Sequence, residues 1–128
     1  MFATYDYSNI PIIKVILNGT IENDEDYNNF INEWKKLYER EEDFEFEFDT
    51  KNAGLVNPKY CFYIALFIKD MKKRDKQYLK KSKIYVYNKY IFGLLKMIFS
   101  IQKPIAPIEI IYMDDNSNES KIEYISNE

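Results

Sequence analysis

Short blocks of hydrophobic and polar residues follow one another along this chain, and the period of each block predicts its structure. Strict alternation in Phe44–Phe48 (FEFEF) predicts a half-buried strand, because successive side chains of a strand point to opposite faces. Two apolar runs near the start are separated by the turn-forming residues Asn9–Pro11, which predicts an opening hairpin. The two strands of this hairpin are predicted at residues 3–8 and 12–17. Two further strands are predicted at residues 84–87 and 108–112.

Three other segments repeat their apolar residues at helical spacing. The first begins at Asn23 or Asp24, both of which suit an N-cap. The second begins at Asn57, a cap residue that is followed by proline at the first helical position. Its segment YCFYIALFI (60–68) is apolar on nearly every side, which predicts that neighbouring elements enclose it. The third helix follows the cap residue Asn88.

The order of these elements, ββαβαβαβ, predicts an α/β fold. Strands separated by helices run parallel with right-handed crossovers, and the first hairpin adds an antiparallel edge. Most strands carry apolar residues on one side only, so we expect a mixed, mostly parallel sheet of about five strands with three main helices packed largely on one face. The opposite face is expected to be polar, with Lys14, Glu45, Glu47, Tyr85, Tyr87 and Glu109 on it.

One domain is expected over residues 1–113. The last core strand ends near Tyr112, and residues 114–128 form a polar, acidic segment that continues without a second hydrophobic stretch. We expect this tail to be flexible or to form one short helix around Ile122 and Ile125. No linker rich in glycine, serine or proline divides the chain.

The residue inventory excludes several classes of enzyme. The chain of 128 residues has no histidine and a single cysteine, Cys61. A Ser-His-Asp triad, a histidine general base and a histidine-ligated zinc are therefore impossible, as are an internal disulfide and a cysteine-cluster metal site. We expect no catalytic residue, no metal and no cofactor. A small hydrolase or transferase that works without histidine is the least favoured alternative.

We expect no targeting signal at the start of this sequence. Residues 1–19 have no basic stretch ahead of an apolar run, so no signal peptide is predicted. The longest apolar run, 60–68, is well short of the roughly 18 residues that a membrane-spanning helix needs. The expected location is the cytoplasm, without a transmembrane segment.

Three segments carry a family resemblance. IIKVILNGTI (12–21) and FEFEFDTKNAGLVNP (44–58) resemble two parts of the STAS domain, the fold of bacterial anti-sigma-factor antagonists. The parts are the second strand with its glycine turn, and the strand and Asp-initiated loop before the switch helix. IYVYNKYIFGLLKMIFSIQKP (84–104) is similar to a strand, helix and Lys-Pro pair of the CRAL-TRIO lipid-exchange family. The resemblance implies a STAS-like βα superhelix.

The chain departs from the STAS pattern at the position that is phosphorylated in that family. In STAS domains an Asp-Ser or Asp-Thr pair lies about eight residues beyond the strand-end Asp, which corresponds here to Asn57-Pro58, counted from Asp49. Neither residue carries a hydroxyl group, so the usual phosphoswitch is expected to be absent. Thr50 is the only hydroxyl-bearing residue left in that loop.

Two groups of residues are candidate binding sites. The carboxyl ends of parallel strands and the amino ends of the following helices meet at one edge of a sheet, so polar residues there could bind a ligand or partner. The alternative is that the two helix-starting asparagines only cap their helices. The residues of this edge site are Asp49, Thr50, Asn52, Asn57 and Asn88.

The second candidate site is a basic patch at the end of the second helix, within a segment (69–83) of net charge +6. It could meet an anionic lipid surface, or it could be the solvated end of an apolar helix. Nucleic acid is not expected, because the chain as a whole is acidic and offers few exposed aromatic residues beside the cations. The patch consists of Lys69, Lys72, Lys73, Arg74, Lys76, Lys80 and Lys81.

These observations favour a non-enzymatic function. The leading hypothesis is a STAS-like protein-interaction or regulatory domain that binds a protein partner or a second copy of itself, as in a homodimer. The alternative is a peripheral module of CRAL-TRIO type that binds lipid or a membrane surface. The basic patch is the feature that would distinguish the second function from the first.

Overall fold

The computed structural model describes all 128 residues and contains six strands and three helices. Each helix begins at an asparagine whose side chain caps it: Asn23, Asn57 and Asn88. The elements in chain order are β1 (Ala3–Asn9), β2 (Ile12–Gly19), α1 (Asp24–Glu39), β3 (Phe44–Ala53), α2 (Pro58–Met71), β4 (Leu79–Val86), α3 (Lys89–Ile101), β5 (Ile108–Met113) and β6 (Glu119–Ile125).

All six strands form one sheet in the order of the sequence, β1 to β6. The pairs β2–β3, β3–β4 and β4–β5 are parallel, and the edge strands β1 and β6 are antiparallel to their neighbours. Because the sheet grows in one direction and each crossover has the same hand, the three helices lie on one face. The predicted fold class is confirmed, with six strands in place of about five.

The core lies between this helical layer and the sheet. Phe44, Phe46 and Phe48 of β3 are buried, as the FEFEF alternation predicts. Trp34 of α1 packs its ring edge-on against Phe46 and against Phe67 of α2, with ring centroids 5.0 and 5.1 Å away. One aromatic residue thus joins the sheet to two helices.

The opposite face of the sheet is polar and its charges alternate across the strands. Five charged residues occupy directly paired positions on neighbouring strands, negative and positive in turn. Opposite charges at directly paired positions favour the pairing of strands. The row runs Asp6, Lys14, Glu47, Lys83 and Glu109, and we call it the charged row.

The expectation for the tail was wrong, because residues 119–125 form strand β6 and not a short helix or a frayed end. Asp114 starts a tight turn in which its carboxylate accepts hydrogen bonds from the backbone N–H groups of Asn116 and Asn118. The chain then returns along β5, where Ile122 pairs with the buried Ile111. A backbone ladder needs few apolar side chains, so the polar composition of the tail did not reveal the strand.

Two element boundaries also differ from the expectation. β3 continues to Ala53, so Asp49 to Ala53 are strand residues and not a loop; Asn52 pairs with Asn18 of β2. The second helix ends at Met71, and β4 begins at Leu79 rather than Ile84. The predicted basic patch is therefore divided between a helix end, a loop and a strand.

Candidate functional site

The residues predicted at the strand-end edge do not form one site, because two of them point to opposite faces of the sheet. Thr50 is 2% exposed on the helical side, and its hydroxyl donates to the carbonyl oxygen of Tyr85 at 2.6 Å. Asp49 lies on the open side, where its carboxylate accepts from the backbone N–H of Lys51. Asn52 is exposed near the end of β3. The buried hydroxyl of Thr50 is thus a structural hydrogen-bond donor.

The two asparagines of the predicted edge site are helix caps. The Asn57 side-chain oxygen accepts from the backbone N–H of Lys59 at 2.9 Å. The Asn88 side-chain oxygen accepts from two backbone N–H groups, those of Tyr90 and Ile91, both at 3.0 Å. These contacts are the hydrogen bonds of an N-cap, so the structure gives both residues the alternative role.

The predicted basic patch is spread over several surfaces. Lys69 lies exposed on α2, while the Lys72 ammonium donates to the backbone carbonyl oxygen of Asn127 at 3.0 Å. Arg74 lies over the ring of Tyr38, and Lys73 and Lys76 are exposed in the loop after the helix. On β4, Lys80 lies 3.8 Å from Asp43, and Lys81 forms an ion pair of 2.8 Å with Glu109 on the open sheet face.

An exposed apolar surface lies on the outer side of the helical layer, where the sequence predicted an enclosed helix. Phe62 and Leu66 of α2 are 48% and 42% exposed, so the expectation that YCFYIALFI is enclosed was wrong. Because the helices form a single layer, the sheet covers each of them on one side only. An all-apolar helix in such a layer leaves its other side in water. The surface, which we call the α2–α3 surface, consists of the exposed residues Leu55, Phe62, Leu66, Tyr90 and Ile101 and the partly buried residues Leu94 and Met97.

Helix α3 contributes an outward stripe to this surface. Tyr90, Leu94, Met97 and Ile101 follow one another at steps of four, three and four residues, which places them on one side of a helix. Tyr90 is 61% exposed and Ile101 47%. Only Ile91 and Ile98 of this helix are fully buried. The helix therefore keeps much of its apolar surface outside the core.

The α2–α3 surface belongs to the basic part of the chain. Residues 54–107 contain twelve Lys and Arg against two acidic residues, a net charge of +10; the whole chain is −3, so the rest carries −13. No carboxylate lies within 4.0 Å of the ammonium groups of Lys69, Lys76 and Lys89. Exposed apolar side chains and unpaired cations thus occur together on α2, α3 and the loop after α2.

A cavity of about 130 Å³ lies beneath the same helices. The sheet contributes residues such as Phe48 and Ile84, and the helices contribute residues such as Trp34, Ile68 and Ile98. No charged residue lines it, and the lining residues with a side-chain N–H or O–H group are Trp34, Thr50 and Ser82. The lining also includes Cys61. Burial raises the pKa of its thiol, so this cysteine is unreactive at neutral pH.

The cavity and the α2–α3 surface were both missed by the sequence analysis. The signal for the surface was present: the stripe from Tyr90 to Ile101 lies beside the stripe that faces the core, and residues 76–107 contain no acidic residue. The cavity had no signal in the sequence, because its volume depends on how far α2 and α3 stand from the sheet.

The structure also bears on metal and membrane binding. No group of three or more Cys, Asp or Glu side chains is placed to hold a metal ion. None of the three helices is long and apolar enough to cross a membrane. Comparison with known proteins identifies no relative: no family model, no curated protein and no solved structure matches this chain.

Proposed function

We propose that this chain is a non-enzymatic, peripheral binding module that attaches to an anionic membrane surface through the α2–α3 surface. The observation that carries the proposal is the combination of exposed apolar side chains on α2 and α3 with a net charge of +10 over residues 54–107. Helices that lie in a membrane interface have this combination of an apolar side and flanking lysines.

The exposed side chains supply the apolar part of such an interaction. Leu55 lies just before α2, Phe62 and Leu66 lie on it, and each exposes more than two-fifths of its surface. Tyr90 and Ile101 mark the two ends of the outward stripe on α3. Transfer of such side chains into the headgroup and acyl-chain boundary contributes about 25 cal/mol for each Å² of apolar surface removed from water.

The cations supply the electrostatic part. Lys69, Lys76 and Lys89 have no carboxylate close by, so their charge is available to an outside partner. Each lysine near an anionic bilayer contributes about 1 kcal/mol, and this contribution falls within a Debye length. Three lysines together would give about 3 kcal/mol, which corresponds to a factor of more than 100 in affinity. The proposed binding is therefore strongly sensitive to salt.

The proposal is tested by co-sedimentation with vesicles of phosphatidylcholine alone and of phosphatidylcholine mixed with phosphatidylserine. We expect binding to the mixed vesicles at low salt and little binding to the neutral ones. Lys69→Glu combined with Lys89→Glu should weaken binding at least about thirtyfold, since each reversal removes an attraction of about 1 kcal/mol and adds a repulsion. Phe62→Ser combined with Leu66→Ser should weaken binding to a similar degree.

Matched controls use residues of the same type outside the α2–α3 surface. Lys36→Glu changes an exposed lysine of α1, and Ile122→Ser changes an exposed isoleucine on the open sheet face. Both variants should bind the mixed vesicles as the unchanged chain does. Absence of binding to either vesicle, or equal losses in the control variants, would contradict the proposal.

A STAS-like protein-interaction domain is the second candidate, and the open sheet face favours it. The charged row is accompanied there by Tyr124, which is 72% exposed, and by Ile122, which is 41% exposed. A polar face with scattered apolar residues resembles many protein interfaces. Self-association is the simplest form of this function, and sedimentation velocity tests it: a dimer that Lys83→Glu and Tyr124→Ser disrupt would support the second candidate.

A further inference from the structure

We propose that the cavity under α2 and α3 is a binding site for a small, uncharged molecule with a compact cyclic or branched hydrocarbon body and one hydrogen-bond acceptor. The inference concerns a site inside the fold, and it is independent of the proposed membrane attachment through the outer surface. The volume of the cavity, its lining and one unpaired donor each restrict the ligand.

The volume sets the size of the ligand. The cavity of about 130 Å³ is close to the roughly 150 Å³ of an engineered apolar cavity that binds benzene. A six-membered ring with one substituent is the size that follows. The extended chain of a long fatty acid would not fit without movement of the helices.

The lining sets the charge of the ligand. Of the 24 residues around the cavity, 20 are hydrophobic and none is Asp, Glu, Lys or Arg. An ion in such a site would lose its hydration without gaining an opposite charge, which is strongly unfavourable. The site therefore selects neutral molecules.

An unpaired donor sets the polar group of the ligand. The indole N–H of Trp34 is buried without any hydrogen-bond partner, and the residue, which lines the cavity, is 7% exposed. The Thr50 hydroxyl, in contrast, is satisfied by the carbonyl oxygen of Tyr85. A buried donor without an acceptor is destabilising, so a ligand that brings an acceptor to this N–H gains a hydrogen bond that the chain itself does not supply.

The boundary between α2 and α3 gives the ligand a route to the site. Leu94 and Leu95 of α3 and Ile64 of α2 line the cavity and are also partly exposed, so they lie between it and the solvent. Helix α3 is fixed by two fully buried side chains, Ile91 and Ile98. Small movements of this helix would open the boundary between α2 and α3.

The natural probe of the site is Trp34, because it is the only tryptophan of the chain and lines the cavity. Its indole N–H gives one signal in a proton–nitrogen correlation spectrum, so a titration can follow it directly. Three molecules test the site: cyclohexanone, methylenecyclohexane, which has nearly the same shape but no oxygen acceptor, and cyclohexanecarboxylate, which is slightly larger and carries a charge.

We expect cyclohexanone to saturate the site and to move the indole signal downfield as the N–H gains an acceptor. Methylenecyclohexane should bind about fivefold to tenfold more weakly, which is the effect of one hydrogen bond. Cyclohexanecarboxylate should not bind. An indole signal that none of the three molecules moves would overturn the proposal, as would equal affinity for all three.

Two pairs of variants complete the test. Val56→Phe adds volume at a residue that lines the cavity, and Leu55→Phe adds it at the exposed neighbour that does not. Cyclohexanone binding should be lost in the first and kept in the second. Ser82→Ala and Thr50→Val each remove a hydroxyl group from a lining residue and should leave the ratio of the affinities for cyclohexanone and methylenecyclohexane unchanged, because the acceptor pairs with the indole N–H. A ratio that changes in either variant, together with an unmoved indole signal, would overturn this pairing.

Failure of this proposal is distinguishable from failure of the membrane proposal. Vesicle binding depends on Phe62, Leu66 and the unpaired lysines, none of which lines the cavity. The variant Val56→Phe should therefore bind mixed vesicles while it rejects cyclohexanone.

Discussion

Replacement of Asn88 by alanine tests whether this residue acts as a helix cap, as the structure indicates, or in ligand binding, as the sequence also allowed. The substitution removes the acceptor of two backbone N–H groups at the start of α3, those of Tyr90 and Ile91, both 3.0 Å from the side-chain oxygen. The N–H of Tyr90 is exposed, and water can replace its partner. The N–H of Ile91 is partly buried and loses more.

The expected loss of stability follows from these two contacts. Loss of an N-cap typically costs about 1 kcal/mol within a range of 0.5–2, and one solvent-replaceable and one partly buried contact place the loss at about 1–1.5 kcal/mol. For a chain of 128 residues this corresponds to a decrease in Tm of about 3–6 °C. The loss should be concentrated in α3, because only two of its side chains are fully buried.

Urea unfolding, followed by circular dichroism, measures the effect, and hydrogen exchange locates it. Asn88→Asp keeps a side-chain acceptor at the N-terminus of the helix, where negative charge is favourable, so it should be as stable as the unchanged chain. Asn52→Ala removes an exposed asparagine without a side-chain hydrogen bond and should change stability by less than about 0.5 kcal/mol. If Asn88→Ala were as stable as Asn52→Ala, or if Asn88→Asp were the less stable variant, the capping argument would be refuted.

Three further outcomes are expected. Gly93→Ala should stabilise the protein by about 0.5–1 kcal/mol in urea unfolding, because Gly93 is exposed inside α3 and a methyl group there meets no atom within 4 Å. The free energy of unfolding should fall as the pH rises from about 10 towards 12. Burial raises the pKa of Tyr27 and of Tyr112 to about 12 in the folded chain, so these tyrosines lose their protons at lower pH in the unfolded chain. A Tm that stays constant over this pH range would contradict this prediction. Ile111→Ala should lower the free energy of unfolding by about 2–3 kcal/mol and Ile122→Ala by less than about 1 kcal/mol. The reason is that Ile111 is 3% exposed, whereas its partner Ile122 is 41% exposed. Equal losses in urea unfolding would show that β6 does not cover β5 as described.

The parts of the fold that the sequence predicted are those in which a local pattern and burial agree. FEFEF alternates with the period of a strand, and Phe44, Phe46 and Phe48 face the helices as that period requires. Asn57 and Asn88 have the preferred chemistry of a cap and stand where helices begin. In these segments no tertiary contact competes with the local preference.

The parts that the sequence did not predict depend on partners far along the chain. β6 is held by backbone hydrogen bonds to β5, and its outward residues are polar, so its composition resembles that of a flexible tail. The apolar segment of α2 indicates a buried helix, but periodicity does not say how many layers cover it. Asp49 and Thr50 are neighbours in sequence and lie on opposite faces, because β3 continues through them.

The two faces of the sheet differ in how completely their charges and hydrogen-bond donors are paired within the chain. This difference is the reason to look for function on the helical side. On the open face, the charged row sets Lys14 between Asp6 and Glu47, and Lys81 forms an ion pair with Glu109, so positive and negative charges compensate one another locally. On the helical side, lysines without acidic partners lie beside exposed apolar residues, and a buried indole N–H has no acceptor. Uncompensated charge and exposed apolar surface favour association with a partner, and a buried unpaired donor lowers the stability of the isolated chain, so a bound partner relieves each of them. A membrane surface would relieve the first two and a small acceptor-bearing ligand the third, so the helical layer, rather than the strand-end edge, is where we expect both to bind.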